Sequence, residues 1–83
     1  MKLLYFAWLR TKTGIAQEDV TPPEHVSTVA DLLAWLPGRG PNFALALANP
    51  AVVRVAVNQE YAKPDHRLSA GDEVALFPPV TGG

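Results

Sequence analysis

Residues 71–79 read GDEVALFPP, and this stretch determines how the chain enters and leaves its last strand. The glycine and aspartate that open it are typical of a tight turn. Glu73 to Phe77 is predicted to form a strand in which Val74 and Leu76 share one face. Because proline has no backbone N–H and a fixed φ, Pro78 and Pro79 cannot continue a central strand. The chain is therefore expected to leave the sheet after Phe77.

Two segments before this stretch are predicted to pair in the same sheet. Val52 to Asn58 alternates between valines and more polar residues, with Val53, Val55 and Val57 on one face, which predicts a half-buried strand. Residues 58–60 then predict a turn into a short strand near Tyr61 and Ala62.

The middle of the chain predicts one main helix and a shorter one. Apolar residues recur with helical spacing at Val29, Leu32, Leu33 and Leu36. Thr28 is a suitable N-cap, and Asp31 three residues later completes an acidic variant of the capping box. Pro37-Gly38 is expected to end this helix. A second helical turn is predicted from Pro41 to Ala48, with Phe43, Ala46 and Leu47 on one face.

The N-terminal region predicts two strands. The first runs from about Lys2 to Leu9 and has apolar residues on both faces, which indicates a central position. Thr13-Gly14 predicts a turn, and Ala16 to Val20 a more polar strand at an edge of the sheet.

The element order favours an α+β domain over residues 1–77, with one main helix and a short second helix packed on a mixed sheet of four or five strands. Residues 78–83 are expected to form an extended arm. If the valines of the last strands face the helix, the opposite sheet face carries Phe6, Trp8 and Phe77 toward solvent. Large apolar groups exposed together indicate a protein partner.

Composition excludes several classes of function. Eighty-three residues fit one domain, and the absence of cysteine excludes disulfides, thiolate metal sites and a cysteine nucleophile. Seven basic and eight acidic residues indicate neither a nucleic-acid-binding nor a membrane-binding protein. His25 and His66 fit no short metal motif, so no metal site is expected. The apolar run after Lys2 is too short for a signal peptide or a membrane span, and we expect a cytoplasmic protein.

The last six residues, Pro78-Pro79-Val80-Thr81-Gly82-Gly83, suit a narrow cleft on another protein. At about 3.3 Å each they reach on the order of 20 Å. The prolines stiffen the base, and the glycines at the tip carry no side chains. The terminal carboxylate is a poor electrophile, so chemistry at Gly83 requires activation, most simply adenylation by an ATP-using partner. The acyl adenylate could then accept an amine, a thiol or a sulfide.

Three segments resemble one protein family, the small subunit of molybdopterin synthase (MoaD family), a ubiquitin-like sulfur carrier with the β-grasp fold. They are YFAWLRTKTG at 5–14, VSTVADLLAWL at 26–36 and AVNQEYAKPDHRLSAGDEVALFPPVTGG at 56–83. The resemblance covers the whole chain in order. Thr11-Lys12 stands where such proteins often carry an acidic residue, and Thr81 where serine is also frequent.

The resemblance implies a specific chemistry for the C-terminus. An E1-like enzyme uses ATP to adenylate Gly83, and a sulfur donor converts the adenylate to a thiocarboxylate. The arm then enters the large synthase subunit, where the sulfur passes to a cyclic pyranopterin precursor. Family members assemble as heterotetramers of two large and two small subunits. The catalytic side chains belong to the large subunit, so this chain would hold no permanent cofactor and act as the sulfur donor.

The sequence predicts contacts with a partner and leaves several functions open. Phe6, Tyr61 and Phe77 are predicted to contact the large subunit around the base of the arm. A thiamine-pathway sulfur carrier also ends in Gly-Gly, although that family usually lacks the double proline. A ubiquitin-like modifier that forms isopeptide bonds would use the same arm, and a simple interaction module would not need it. Gly38-Arg39-Gly40 is interpreted as a linker. The side chains of Arg10, Arg39, Lys63 and Arg67 are interpreted as solvated rather than functional.

Overall fold

The computed structural model describes residues 1–79, and their strands form one mixed five-stranded sheet. The strands are β1 (Lys2–Tyr5), β2 (Gln17–Asp19), β3 (Arg54–Val57), β4 (Glu60–Tyr61) and β5 (Glu73–Phe77). Their order across the sheet is β2-β1-β5-β3-β4. β1 and β5 are parallel, and the other neighbours are antiparallel. The predicted α+β class and mixed sheet are confirmed.

Three α-helices and two 3₁₀ turns connect the strands in the described part of the chain. The helices are α1 (Trp8–Thr13), α2 (Val29–Trp35) and α3 (Pro41–Ala46), and the 3₁₀ turns are Leu36–Arg39 and Pro50–Val52. α2 therefore continues as a 3₁₀ turn through Pro37-Gly38, where the sequence predicted a stop. Proline fits the first turn of such a helix because its missing N–H has no partner there. No helix within residues 1–79 is long and apolar enough to cross a membrane.

The hydrophobic core lies on one face of the sheet. Alternate residues of the three central strands point inward and meet α2 and the segments around it. The fully buried members with the largest side chains are Tyr5, Leu3, Leu9, Leu32, Leu36, Leu76, Val29 and Val74. The residues of opposite orientation, such as Leu4, Ala56, Ala75 and Phe77, are only half-buried. This second face we call the open face.

α2 begins at the predicted capping box. The Thr28 hydroxyl accepts a hydrogen bond from the Asp31 N–H (3.2 Å), and the Asp31 carboxylate accepts one from the Thr28 N–H (3.1 Å). The same carboxylate also accepts from the N–H and the hydroxyl of Ser27. These hydrogen bonds, the Ser27 N–H first, lower the pKa of Asp31.

The first strand ends four residues earlier than the sequence predicted. β1 stops at Tyr5, and Ala7 adopts φ 53° and ψ −130°, which reverses the chain and lets the Leu9 N–H donate to the Phe6 carbonyl (3.1 Å). α1 places Leu9 in the core. An extended strand would also have pointed Leu9 toward the core, so the apolar pattern does not distinguish the two structures. Trp8 therefore lies on a helix, and its predicted position on the open face is wrong.

The turn predicted at Thr13-Gly14 is present as the end of α1. Gly14 adopts a left-handed φ of 82°, and its N–H donates to the Arg10 carbonyl at 2.9 Å.

Exchanging glycine and alanine at the two ends of α1 should change stability in opposite directions. Ala7→Gly removes the strain of a positive φ at a residue with a Cβ and should raise the free energy of unfolding by about 1 kcal/mol. Gly14→Ala should lower it by about 1 kcal/mol, because a Cβ there meets no atom within 4 Å and only the backbone conformation opposes it. Urea unfolding of both variants checks this, and a less stable Ala7→Gly would contradict the geometry at Ala7.

The cap of α2 should make part of the stability pH-dependent. Because folding lowers the pKa of Asp31, its contribution is complete above the carboxyl group's ordinary pKa. It is lost as the pH falls toward the lower value of the folded state. Thermal unfolding across the acid range should show a weaker pH dependence for Asp31→Asn than for wild type. Asp65→Asn, which removes an exposed loop carboxylate, is the matched control for the loss of one negative charge. Equal profiles for both variants would refute a specific role of Asp31.

Candidate functional site

The end of β5 is the structural base of the C-terminal segment. Phe77 is its last residue and pairs opposite Arg54 of β3. Pro78 and Pro79 follow, half-buried and outside any strand, as the prolines predicted. Val80, Thr81, Gly82 and Gly83 lie outside the described residues. The role of this arm, and the boundary between it and a domain of residues 1–77, stay predictions.

The predicted partner-binding residues lie at the same end of the sheet. The Tyr61 and Phe77 ring centroids are 5.7 Å apart, and Tyr61 is 79% exposed. Phe6, 48% exposed, follows β1 directly, and its N–H donates to the Leu76 carbonyl (3.1 Å). The parallel pairing of β1 with β5 therefore extends one residue and brings Phe6 alongside Phe77. We call Phe6, Tyr61 and Phe77 the arm-base patch.

Small residues beneath the arm-base patch make its rings accessible. Ala56 pairs opposite Tyr61 on one side and opposite Ala75 on the other, and Ala75 in turn lies beside Leu4. Because the two adjacent alanines have short side chains, the larger rings of the patch project beyond them from the sheet surface. The patch is thus a shallow apolar surface that suits a protein partner better than a small ligand, which requires a concave pocket.

No group of three or more His, Asp or Glu side chains among residues 1–79 could hold a metal ion. His25 and His66 are exposed. The Asp72 carboxylate accepts hydrogen bonds from the Ser69 N–H (2.7 Å) and the Asn58 side-chain amide (3.0 Å). These bonds, Ser69 first, lower the pKa of Asp72. Asp72 therefore orders the turn before β5, as its sequence context indicated.

One polar cluster was missed by sequence reasoning. Arg39 forms an ion pair with Glu18, and its guanidinium lies 4.9 Å from the Phe43 ring centroid. The Tyr5 hydroxyl donates to the same Glu18 carboxylate at 2.7 Å. Burial, and then the bond to Glu18, raise the pKa of Tyr5, which keeps the hydroxyl protonated. Arg39 is solvent-exposed, as interpreted from the sequence, but it also forms an ion pair that the sequence did not indicate.

This cluster fixes the strand that leads to the arm-base patch. Tyr5 is the last residue of β1 and directly precedes Phe6, while Glu18 is on β2 and Arg39 in the 3₁₀ turn after α2. Three distant segments are thus joined on the core side of β1. No local pattern could have shown this, because the partners are separated by 13 and 21 residues.

Sequence comparison relates this chain to known sulfur carriers. The ThiS family model matches residues 3–83. A molybdopterin synthase sulfur carrier subunit from Escherichia coli (strain K12) is 40% identical over 83 residues, covering 100% of this chain and 99% of that protein. The protein of that name from Homo sapiens is 31% identical over 86 residues, covering 100% of this chain and 93% of that protein.

Structural comparison agrees with the family match. SAMP1 from Haloferax volcanii superposes with a TM-score of 0.77 and 33% sequence identity, covering 100% of this chain and 98% of that one. The expected ubiquitin-like β-grasp fold is confirmed.

Removing the acceptor that Tyr5 and Arg39 share should test this polar cluster. Glu18→Ala leaves the Tyr5 hydroxyl without its acceptor and Arg39 without its partner, and should lower the free energy of unfolding by about 2 kcal/mol. Glu18→Gln keeps an acceptor oxygen and should recover most of that loss. Urea unfolding measures both, and equal stability of Glu18→Ala and wild type would contradict a stabilising role for the cluster.

Proposed function

The chain belongs to the ThiS family as a sulfur carrier subunit of the molybdopterin synthase type, and we propose that Gly83 is the residue on which it carries sulfur. The observation that supports this most is a full-length match that includes the Gly82-Gly83 terminus, in a protein without cysteine. Without a thiol side chain, the terminal carboxyl is the natural position for the sulfur.

Loading of the carrier requires an activating partner that uses ATP. The Gly83 carboxylate attacks the α-phosphorus of ATP, releases pyrophosphate and forms an acyl adenylate. Hydrosulfide released by a sulfur donor then attacks the acyl carbon and displaces AMP, which carries away one carboxylate oxygen. Loss of the S–H proton leaves a thiocarboxylate. An adenylating enzyme of the E1-like class carries out the first step, and ATP is its substrate.

Delivery of the sulfur requires the large subunit of molybdopterin synthase. The thiocarboxylate donates its sulfur to a cyclic pyranopterin precursor, and hydrolysis of the acyl group returns Gly83 as a carboxylate. The large subunit supplies the catalytic side chains. Two large and two small subunits form the assembly, and the small subunit is reloaded after each transfer.

The arm-base patch is the contact surface for the large subunit. It lies where β5 ends, so a partner that binds Phe6, Tyr61 and Phe77 is positioned directly beside the start of the arm. Binding there would orient Pro78 and Pro79 before the last residues enter the partner's cleft. Rigid attachment at the base limits the volume that the reactive terminus can sample, which favours reaction.

A second candidate function is attachment to other proteins. SAMP1 of Haloferax volcanii, a small archaeal modifier protein, shares 33% identity and the fold over the whole chain. The same acyl adenylate could be transferred to a lysine amine and form an isopeptide bond. A thiamine-pathway carrier is the remaining alternative, and complementation of a molybdenum-cofactor mutant against a thiamine auxotroph separates the two pathways.

Intact-mass measurement of the C-terminus tests the proposed function. In protein isolated from a cell with an active pathway, we expect a fraction with one oxygen replaced by sulfur. This species should be absent when Gly83 is deleted, while the folded state is retained. A terminus that is never modified would refute the carrier role of Gly83. Higher-mass species that survive reductant and boiling would support the modifier function instead.

A further inference from the structure

An apolar groove of about 440 Å³ lies between α1 and α3, on the helix-covered side of the sheet. Trp8 and Lys12 of α1, Leu45 of α3 and Val52 of the second 3₁₀ turn line it. Large hydrophobic residues that are exposed within residues 1–79 are Phe6, Tyr61, Leu45 and Val52. Two of these belong to the arm-base patch and the other two to this groove, so exposed apolar surface is concentrated at two places.

The exposure of Leu45 is not needed for folding. Its neighbour Ala46 and the following Leu47 are buried in the core, and they hold α3 in place. Leu45 itself is 64% exposed. A polar residue there would cost the fold little. Leu45 is not an isolated apolar side chain, because it lies with Trp8 and Val52 in one groove, and contiguous exposed apolar surface is typical of an interaction site.

The groove and the arm-base patch lie near the same end of the sheet, where β5 ends. Trp8 is two residues after Phe6, across the reversal at Ala7. Val52 is two residues before Arg54, which pairs opposite Phe77. The Arg54 guanidinium donates to the Ala51 carbonyl at 2.8 Å and so joins this strand end to the turn that carries Val52. The two apolar surfaces therefore flank the start of the C-terminal segment from opposite sides of the sheet.

The charge at this end of the molecule indicates what kind of surface would fit. Residues 6–16 and 41–57, which build it, contain Arg10, Lys12 and Arg54 and no acidic residue. The Lys12 ammonium lies 5.6 Å from the centroid of the Trp8 ring, at the edge of the groove. The whole chain nevertheless carries a net charge of −1. An apolar groove with a basic rim is complementary to an apolar side chain flanked by carboxylates.

We propose that this groove is a second docking surface for the protein that receives the C-terminal arm. An aliphatic or aromatic side chain of the large subunit occupies the groove, and an adjacent carboxylate of that subunit pairs with Lys12 at its edge. The partner thus contacts both faces of the sheet beside the arm and so orients the arm. This inference rests on the proposed function, because the large subunit is taken as the recipient of the arm.

A pair of adjacent substitutions on α3 tests the groove. Leu45→Asp places a carboxylate in the groove, whereas Ala44→Asp places the same charge one position away, at an exposed residue outside it. Calorimetric titration with the purified large subunit from the same organism should show at least about tenfold weaker binding for Leu45→Asp. Ala44→Asp should remain within about twofold of wild type. Circular dichroism verifies that both variants are folded.

The dependence of binding affinity on salt concentration tests the basic rim. Lys12→Gln should weaken binding about threefold at low ionic strength, and the difference should disappear near 1 M salt, where charge interactions are screened. An unchanged affinity at low salt would refute the role of Lys12.

The remaining outcomes separate the groove from the proposed function. If wild type binds the large subunit and Leu45→Asp binds equally well, the groove proposal fails and the proposed function stands. Phe77→Ala should still weaken binding in that case, by about thirtyfold, because it alters the arm-base patch. If wild type does not bind at all, both proposals fail. A wild-type dimer that Leu45→Asp converts to a monomer in light scattering would show that a second copy of the chain fills the groove, and would overturn the proposal.

Discussion

The parallel pairing of β1 with β5 is the constraint on which the rest of this structure depends. It places the first and last strands side by side at the centre of the sheet, with Leu3 beside Val74 and Tyr5 beside Leu76. Parallel neighbours end at the same edge, so the chain leaves β1 at Phe6 and leaves β5 at Pro78 in the same place. The connection between them must cross one face of the sheet, and α2 and α3 cover that face. The other face stays open.

The elements predicted best from the sequence are those whose signals are local and consistent. α2 has a helical apolar period and a capping box at Thr28 and Asp31 that the structure confirms. β3 shows an alternation of valines with more polar residues, and β5 is followed by two prolines that end the strand. α1 was missed because the apolar run after Lys2 satisfies a strand pattern, and nothing in one sequence marks the positive φ of Ala7. Because this helix was not predicted, Trp8 was assigned to the wrong face of the sheet.

The candidate site could be predicted in part. Strand alternation predicts Phe6 and Phe77, and the position after the turn predicts Tyr61. The structure brings Tyr61 into contact distance of Phe77 and places Phe6 beside the neighbouring strand. Their role in binding stays a prediction. The link from Tyr5 through Glu18 to Arg39 depends on segments far apart in the chain, and so does the groove formed by Leu45 and Val52. Contacts between such distant segments become visible only in the folded structure.

The family identifies the chain as a sulfur carrier, and under the proposed function its recognition surfaces are separate from its reactive terminus. The folded residues offer apolar surfaces around the start of the arm, and the proposed reactive atom is at Gly83. The most direct measurement is a single-turnover transfer with isotopically labelled sulfur on the terminus, in the presence of the large subunit and the pyranopterin precursor. The label should leave this chain and appear in the pterin, in an amount limited by the amount of carrier supplied. Label that stays on the chain, or a chain that becomes attached to lysine while the pterin gains none, would contradict the assignment.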